Sequence, residues 1–386
     1  MTDDSTQGRP HTMTRLGIFG GGQLAKMTAQ AASILGIETV IFTPDIDCPA
    51  AQVTPHMIVG EWRDSALLEQ FARQCDVVTL ESEFVDVDLL EQVIALGTPV
   101  YPPPHTIAQV QDKLTQKRTM QAAGIPVPRF LNVQTATDVM TAVEAFGFPV
   151  VLKARRNGYD GYGNVTIRRS NDVANALDRL KGRELMVEEY VPFVRELALM
   201  AVRDQAGNMK FYPVVETVQQ NHICHIVRCP ASIEEATALK AAAIAEKALT
   251  AIDGVGVFGI ELFELENGDV IYNEIAPRPH NSGHYTIEGT ITSQFSNHVR
   301  AVLGYALGDT AQIAPATVML NILGERSGPP HEDALKDALA TEGVHIHLYG
   351  KREVRVGRKM GHLTVLGYNT QDAENLGRLA MSRIRL

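Results

Sequence analysis

Tyr272-Asn273-Glu274-Ile275-Ala276 is an apolar strand interrupted by one carboxylate, and it runs directly into Pro277-Arg278-Pro279-His280-Asn281-Ser282-Gly283-His284, a proline-locked loop rich in hydrogen-bond donors. Thirteen residues before Glu274 stands Glu261, within Gly259-Ile260-Glu261-Leu262-Phe263, again a carboxylate inside an apolar strand. Two adjacent antiparallel strands would bring these acids together. Buried like charges are costly unless neutralised, and hard oxygen ligands on one surface suit Mg²⁺ bridging triphosphate oxygens. The alternative is that both face solvent on an alternating sheet. In the loop, Arg278 could hold a small planar anion, a carboxylate or bicarbonate, through its two-pronged guanidinium. His280 and His284 have metal-like spacing, but Pro279 and Gly283 argue against a helix there, and donors to an oxyanion are the better reading.

Two upstream segments fit the same chemistry. Lys153 lies in the apolar run Val150 to Ala154, and Gly158-Tyr159-Asp160-Gly161-Tyr162-Gly163 connects it to a second strand, Asn164 to Arg168. Glycines let backbone N–H groups converge on phosphate oxygens, and the lysine supplies a compact positive charge. A plain β-hairpin with an Asp-Gly turn reads equally well. A strand over 184–188 leads into Glu188-Glu189-Tyr190-Val191, with Glu196 shortly beyond. There an edge backbone could pair with adenine and a carboxylate could accept ribose hydroxyls, whereas acidic residues after a strand are more often a solvated loop.

The N-terminal hundred residues predict a doubly wound parallel sheet: a strand over Leu16 to Phe19, Gly20-Gly21-Gly22, a helix over Gln23 to Leu35, and strands over Glu38 to Phe42 and Val77 to Leu80. Gly20-x-Gly22-x-x-Ala25 formally fits a dinucleotide fingerprint, but a tight strand-to-helix turn with no ligand reads as well. Pro102-Pro103-Pro104 is a stiff connector ahead of a boundary near 113. The expected organisation is a polar leader over 1–13, a Rossmann-like domain over 14–113, an α+β domain over 114–312 and a small C-terminal domain over 313–386.

With 35 basic against 45 acidic residues, the formal charge of −10 argues against a general hold on nucleic acid or anionic membrane, so any phosphate must be gripped locally. No apolar run is long enough for a membrane-spanning helix and the first residues lack the apolar core of a secretory signal, so a cytoplasmic location is expected. Cys48, Cys75, Cys224 and Cys229 are scattered and read as reduced structural thiols. Against the acidic balance, Lys351 to Lys359 gathers five basic residues in nine positions, which suggests a second phosphate site rather than a solvated turn.

Taken in order, the lysine, glycine loop, Glu-Glu-Tyr-Val linker and carboxylate pair make residues 14–386 resemble the ATP-grasp ligases. More narrowly, the chain resembles the N5-carboxyaminoimidazole ribonucleotide synthetase family of purine biosynthesis, through Gly20-Gly21-Gly22-Gln23-Leu24, Thr79-Leu80-Glu81-Ser82-Glu83, Gly158-Tyr159-Asp160-Gly161, the Asn273 to His284 string, Ser293-Gln294-Phe295 and Arg358-Lys359-Met360-Gly361-His362. The resemblance implies an ATP-grasp fold (α/β and α+β) with an N-terminal Rossmann-like parallel sheet and a small C-terminal domain, often as a homodimer. It implies ATP- and bicarbonate-dependent carboxylation of 5-aminoimidazole ribonucleotide through carboxyphosphate, with Mg²⁺ as cofactor.

Residue by residue, the resemblance implies ATP contacts from Lys113, Lys153, Gly158, Tyr159, Asp160, Gly161, Gly163, Glu188, Glu189, Tyr190, Val191, Glu196, Gln219, Asn273 and Glu274. Glu261 and Glu274 would hold Mg²⁺. Arg278, His280 and Asn281 would hold bicarbonate and the transferred carboxyl, and Gln23, Glu81, Tyr159, Asp160, Lys351 and Arg358 the nucleotide substrate. The chain departs from the family pattern at Lys113, Phe84, Tyr162 and Gln219, where arginine, asparagine, a basic residue and histidine are usual. The nearest enzyme rival is the related formate-using transferase of glycinamide ribonucleotide, whose loop resembles Arg-Pro-His-Asp-Thr-Gly. A non-catalytic nucleotide-binding regulator is the other; retention of Glu261, Glu274 and Arg278 together speaks against it.

Overall fold

The computed structural model describes residues 13–158, 163–220, 222–330 and 333–386. Residues 1–12 of the expected leader over 1–13 and the loop tip Tyr159, Asp160, Gly161 and Tyr162 lie outside the described residues.

Strands β1 (Arg15–Phe19), β2 (Glu38–Thr43), β3 (Met57–Val59) and β4 (Val77–Leu80) form a parallel sheet in the order β3-β2-β1-β4. Phe19 and Phe42 bury their rings on the face covered by Phe71, and Leu16, Ile18 and Ile41 meet the helix Gln23–Ile34, so both faces are apolar, as a parallel sheet requires. The N-terminus of that helix is closed by the chain itself. Glu81, just past β4, accepts from the Gly22 N–H (2.5 Å) and the Ala25 N–H (3.1 Å). Gly20 has φ +97°, and a Cβ there would lie 2.5 Å from Glu81 Cγ. The glycine turn is therefore built around a carboxylate, which occupies the end of the helix dipole where a pyrophosphate would sit.

Strands β5 (Phe130–Val133), β6 (Val150–Ala154), β7 (Asn164–Ile167) and β8 (Leu185–Glu189) make an antiparallel sheet ordered β5-β8-β6-β7, so the glycine loop is the connection of a β6–β7 hairpin. After β7 the chain makes a 3₁₀ turn, Ser170–Asp172, that runs into an α-helix over Val173–Arg179.

The third sheet contains β9 (Arg195–Arg203), β10 (Met209–Phe211), β11 (Val215–Gln220), β12 (Ile223–Cys229), β13 (Gly256–Glu264), β14 (Val270–Ala276), β15 (Ala316–Leu323), β16 (Val344–Leu348) and β17 (Lys359–Gly367). Its order is β14-β13-β9-β11-β12-β15-β17-β16, with β10 beside β9. The tail is thus not a detached sheet: β15 pairs with β12, and the C-terminal strands extend the central one. Behind β9 and β13, the helix Glu235–Ala251 presents Ala241, Ala245, Ala248 and Leu249 to Leu199, Phe258 and Ile260. Small side chains let helix and sheet approach closely, and enlarging one of them would overpack the core by roughly 1–3 kcal/mol.

Candidate active site

A cleft of about 690 Å³ is lined from three directions. Lys153 and Thr166 come from the β6–β7 hairpin, Glu196, Gln219, Glu261 and Glu274 from the central sheet, and Gln23, Glu81 and Glu83 from the N-terminal sheet. Asn157 and Gly158, at the near end of the glycine loop, also border it, so the hairpin and phosphate-lid readings of that loop are compatible. Gly163, at the far end, has φ +111° and accepts from the Ala154 N–H.

The two strand carboxylates meet: Glu261 and Glu274 are register partners on β13 and β14. The ladder slips between Glu261 and Leu262, whose partner is Tyr272, so Asn273 is the extra residue of a bulge. A bulge re-aims side chains that a regular strand would alternate, and here both Asn273 and Glu274 line the cleft. Asn273 donates to Glu261 Oε2 (3.3 Å), and Lys113 forms an ion pair with Glu274. Burial would raise the Glu274 carboxyl, but the charge and hydrogen bond of Lys113, with help from Lys153, outweigh it and hold it low. Burial and the neighbouring Glu274 and Glu196 push Glu261 the other way.

Lys113 is placed by its neighbour. Asp112 caps the helix Lys113–Ala122 through the Leu114 and Thr115 N–H groups, and holds Arg155, at the base of the glycine loop, at 2.5 Å. Lys153 Nζ lies 2.6 Å from Glu188 Oε2 and 3.4 Å from Asn273 Oδ1. Glu188 itself sits on β8 with its backbone in register with Phe130 and Val151, and its buried side chain answers Lys153 and Lys117. Glu189 pairs with Arg129 at the surface, and Val191 is buried. Tyr190 lines the cleft, as do Phe193 and Phe263, whose rings stack at 4.7 Å and offer a flat apolar wall that the sequence did not advertise.

At the other end, Arg278 grips Glu83 with two contacts, Nε to Oε2 at 2.5 Å and Nη2 to Oε1 at 3.1 Å, and gives Nη1 to the Pro279 carbonyl at 3.3 Å. The open fork expected for an anion is therefore closed on a carboxylate from the N-terminal domain, because a guanidinium buried without a counter-charge would be costly. His280 is held by Gln294, which accepts from its N–H (2.9 Å) and donates to its carbonyl (2.8 Å). Burial, Arg278 and Lys359 push its imidazole down to about 4. Its Nδ1 lies 2.9 Å from Ser282 Oγ and 3.4 Å from the Ser282 N, and its Nε2 lies 3.7 Å from Glu261 Oε1. Asn281 exchanges two amide hydrogen bonds with Asn321.

Of the tail's basic run, expected as a whole to form a second phosphate site, Lys359 is the member that lines the cleft, although the resemblance assigns only Lys351 and Arg358 to the substrate individually. Lys351 donates to the Lys359 carbonyl (2.7 Å) and does not line the cleft; burial pushes the Glu81 carboxyl up, offset only in part by the Gly22 and Ala25 N–H groups and by the charges of Arg278 and Lys351. Arg358 donates to the Glu353 carbonyl and does not line the cleft.

Among the described residues, no three His, Cys, Asp or Glu gather to hold a metal. Two all-oxygen donors facing each other in a cleft fit a hard divalent cation that draws its remaining ligands from phosphate oxygens.

A glycine-loop hairpin, lysines and paired acids around one cleft define an ATP-grasp protein, and residues 118–295 match the ATP-grasp domain model. Residues 13–111 match the ribonucleotide synthetase preATP-grasp domain, and 317–376 the phosphoribosylaminoimidazole carboxylase C-terminal domain. The chain belongs to the N5-carboxyaminoimidazole ribonucleotide synthase family: it is 42% identical over 352 residues to the member from Synechococcus elongatus, covering 91% of this chain and 89% of that protein. It is 41% identical over 367 residues to the phosphoribosylaminoimidazole carboxylase of Ogataea methanolica, covering 93% of this chain but about two thirds (67%) of that longer protein. The Aspergillus clavatus N5-carboxyaminoimidazole synthase, solved with ADP and 5-aminoimidazole ribonucleotide, superposes with a TM-score of 0.90 at 36% identity, over 96% of this chain and 98% of that one.

Proposed function

We propose that the chain uses ATP and bicarbonate to carboxylate the exocyclic amine of 5-aminoimidazole ribonucleotide, releasing ADP and phosphate. The observation that carries this is the junction of Glu274 and Arg278 in one cleft, which sets a place for phosphate beside a place for a one-carbon acid. Lys113 and Lys153 neutralise phosphate charge, Tyr190, Phe193 and Phe263 flank the adenine, and Glu196 receives the ribose hydroxyls. Glu261 and Glu274 would hold Mg²⁺, which when bound screens the charge on the transferring phosphoryl group. Arg278, the neutral His280 and Asn281 orient bicarbonate and then the carboxyl being passed on. Gln23, Glu81 and Lys359 line the cleft and would face the nucleotide substrate, and Lys351, Tyr159 and Asp160 are assigned to the same substrate by the family resemblance. Carboxyphosphate hydrolyses readily, so a loop that excludes water protects the coupling. A cytoplasmic homodimer is part of the same reading; no helix among the described residues is long and apolar enough to cross a membrane.

The test is ADP production from Mg-ATP while bicarbonate, formate, aminoimidazole ribonucleotide and glycinamide ribonucleotide are supplied or omitted in turn. Turnover is expected only with the aminoimidazole nucleotide, raised by bicarbonate. Turnover with formate and glycinamide ribonucleotide would overturn the reading.

A further inference from the structure

Both lysines assigned to phosphate rest on carboxylates: Lys113 on Glu274, and Lys153 on Glu188. A triphosphate entering the cleft competes for both. Glu274 faces the cleft, where a divalent cation would replace its lost partner. Glu188 is 2% exposed and does not line the cleft, so no cation arriving with the nucleotide reaches it. If Lys153 turned to a phosphate, Glu188 would be a buried, uncompensated charge unless something else held it, and such a charge is strongly unfavourable.

That something is present. Lys117 lies one turn beyond Lys113 on the helix Lys113–Ala122, is itself 2% exposed, and stays out of the cleft. Its Nζ is 3.2 Å from Glu188 Oε1, on the opposite carboxylate oxygen from Lys153, and is steadied by the Tyr272 carbonyl (3.4 Å) and ring (5.4 Å). We propose that Lys117 is a positioning residue for nucleotide binding: it retains the charge of Glu188, so that Lys153 can leave Glu188 for a phosphate oxygen. This deepens the nucleotide reading above and rests on it. Lys117 touches no substrate, and it acts through Lys153.

The experiment titrates a non-hydrolysable ATP analogue, with adenosine as the phosphate-free control, into the full chain by calorimetry. In Lys117→Met, Lys153 is left as the one direct ion-pair partner of Glu188 among the described residues, and the analogue should bind roughly tenfold or more weakly, while adenosine stays within about twofold of wild type. Lys117→Arg keeps the charge and should stay close to wild type. Lys117→Met/Glu188→Gln removes both members, frees Lys153, and should bring analogue affinity back to within about threefold of wild type. A purely structural role for Lys117 predicts no such recovery. If the lone buried Glu188 unfolds the single variant, the double variant decides alone: folded protein with restored affinity supports the assignment. Tenfold weaker binding in the double variant, or wild-type affinity in Lys117→Met, overturns it. Wild-type protein that binds adenosine no better with phosphates than without overturns the nucleotide reading, and this inference with it.

Discussion

Glu261 and Glu274 are partners on one β-ladder yet are pulled to opposite protonation, Glu274 kept ionised by Lys113 against its burial and Glu261 raised by burial and by Glu274 itself. If the pair held a divalent cation, as proposed, that ion would take over from Lys113 as counter-charge and let both carboxylates ionise in the same space. Glu274→Ala should therefore abolish turnover while the circular dichroism spectrum and melting transition persist. An active, folded variant would remove the metal assignment from this pair.

Burial alone pushes the Glu196 carboxyl up to about 7, from an ordinary 4.5. The sign follows from linkage: a raised carboxyl adds stability that is fully present below its unfolded value and is lost as pH rises through about 7. Ribose hydroxyls donate best to the ionised form, so adenosine should bind more tightly as pH climbs from about 6 to 8. Glu196→Gln should flatten that profile. A wild-type affinity indifferent to pH over this window would take Glu196 away from the ribose.

Arg278 reaches Glu83 with two of its nitrogens and the Pro279 carbonyl with the third, a geometry fixed by a planar fork. Arg278→Lys keeps the charge and loses the fork. We expect turnover to fall by roughly 10²–10³, much as removal of one transition-state donor does. Arg278→Ala should also lower stability, by up to about 3 kcal/mol, since it strands a partly buried Glu83. Near-normal turnover in the lysine variant would show that charge alone suffices.

The strands that carry chemistry were readable because each is a short apolar run with a misplaced polar residue: Lys153, Glu261 and Glu274 are conspicuous against valine, leucine and isoleucine. The parallel sheet was readable for the same reason, its strands being almost continuously apolar. Strands β11 and β12 were not, because Glu216, Gln219, Gln220, His225 and Arg228 break up the apolar alternation with residues that answer other strands, the cleft and the last helix, as in the Arg228–Glu216 and Arg228–Glu374 pairs. Nor could spacing reveal that Glu83 would close on Arg278 across 195 positions, or that Lys117 would turn inward from a helix whose first lysine faces the cleft. Those pairings exist only once the N-terminal sheet and the central sheet are brought together.

Asn281 owes its orientation to Asn321, which is 3% exposed on β15 and anchored in turn by donating to the Cys224 carbonyl at 2.9 Å. That carbonyl can only accept, so it fixes which end of the Asn321 amide carries the nitrogen. The reciprocal bonds of 2.7 and 2.8 Å then fix Asn281, leaving its second N–H free of Asn321 and able to meet the carboxyl in the proposed reaction. Asn321→Ala removes this constraint without touching the nucleotide end of the cleft. The expected outcome is a kcat lowered roughly tenfold or more with the affinity for a non-hydrolysable ATP analogue unchanged, because misorienting a donor costs transition-state binding rather than phosphate binding. If kcat and analogue affinity instead fall together, or neither falls, the amide pair serves packing of β15 and not the orientation of Asn281.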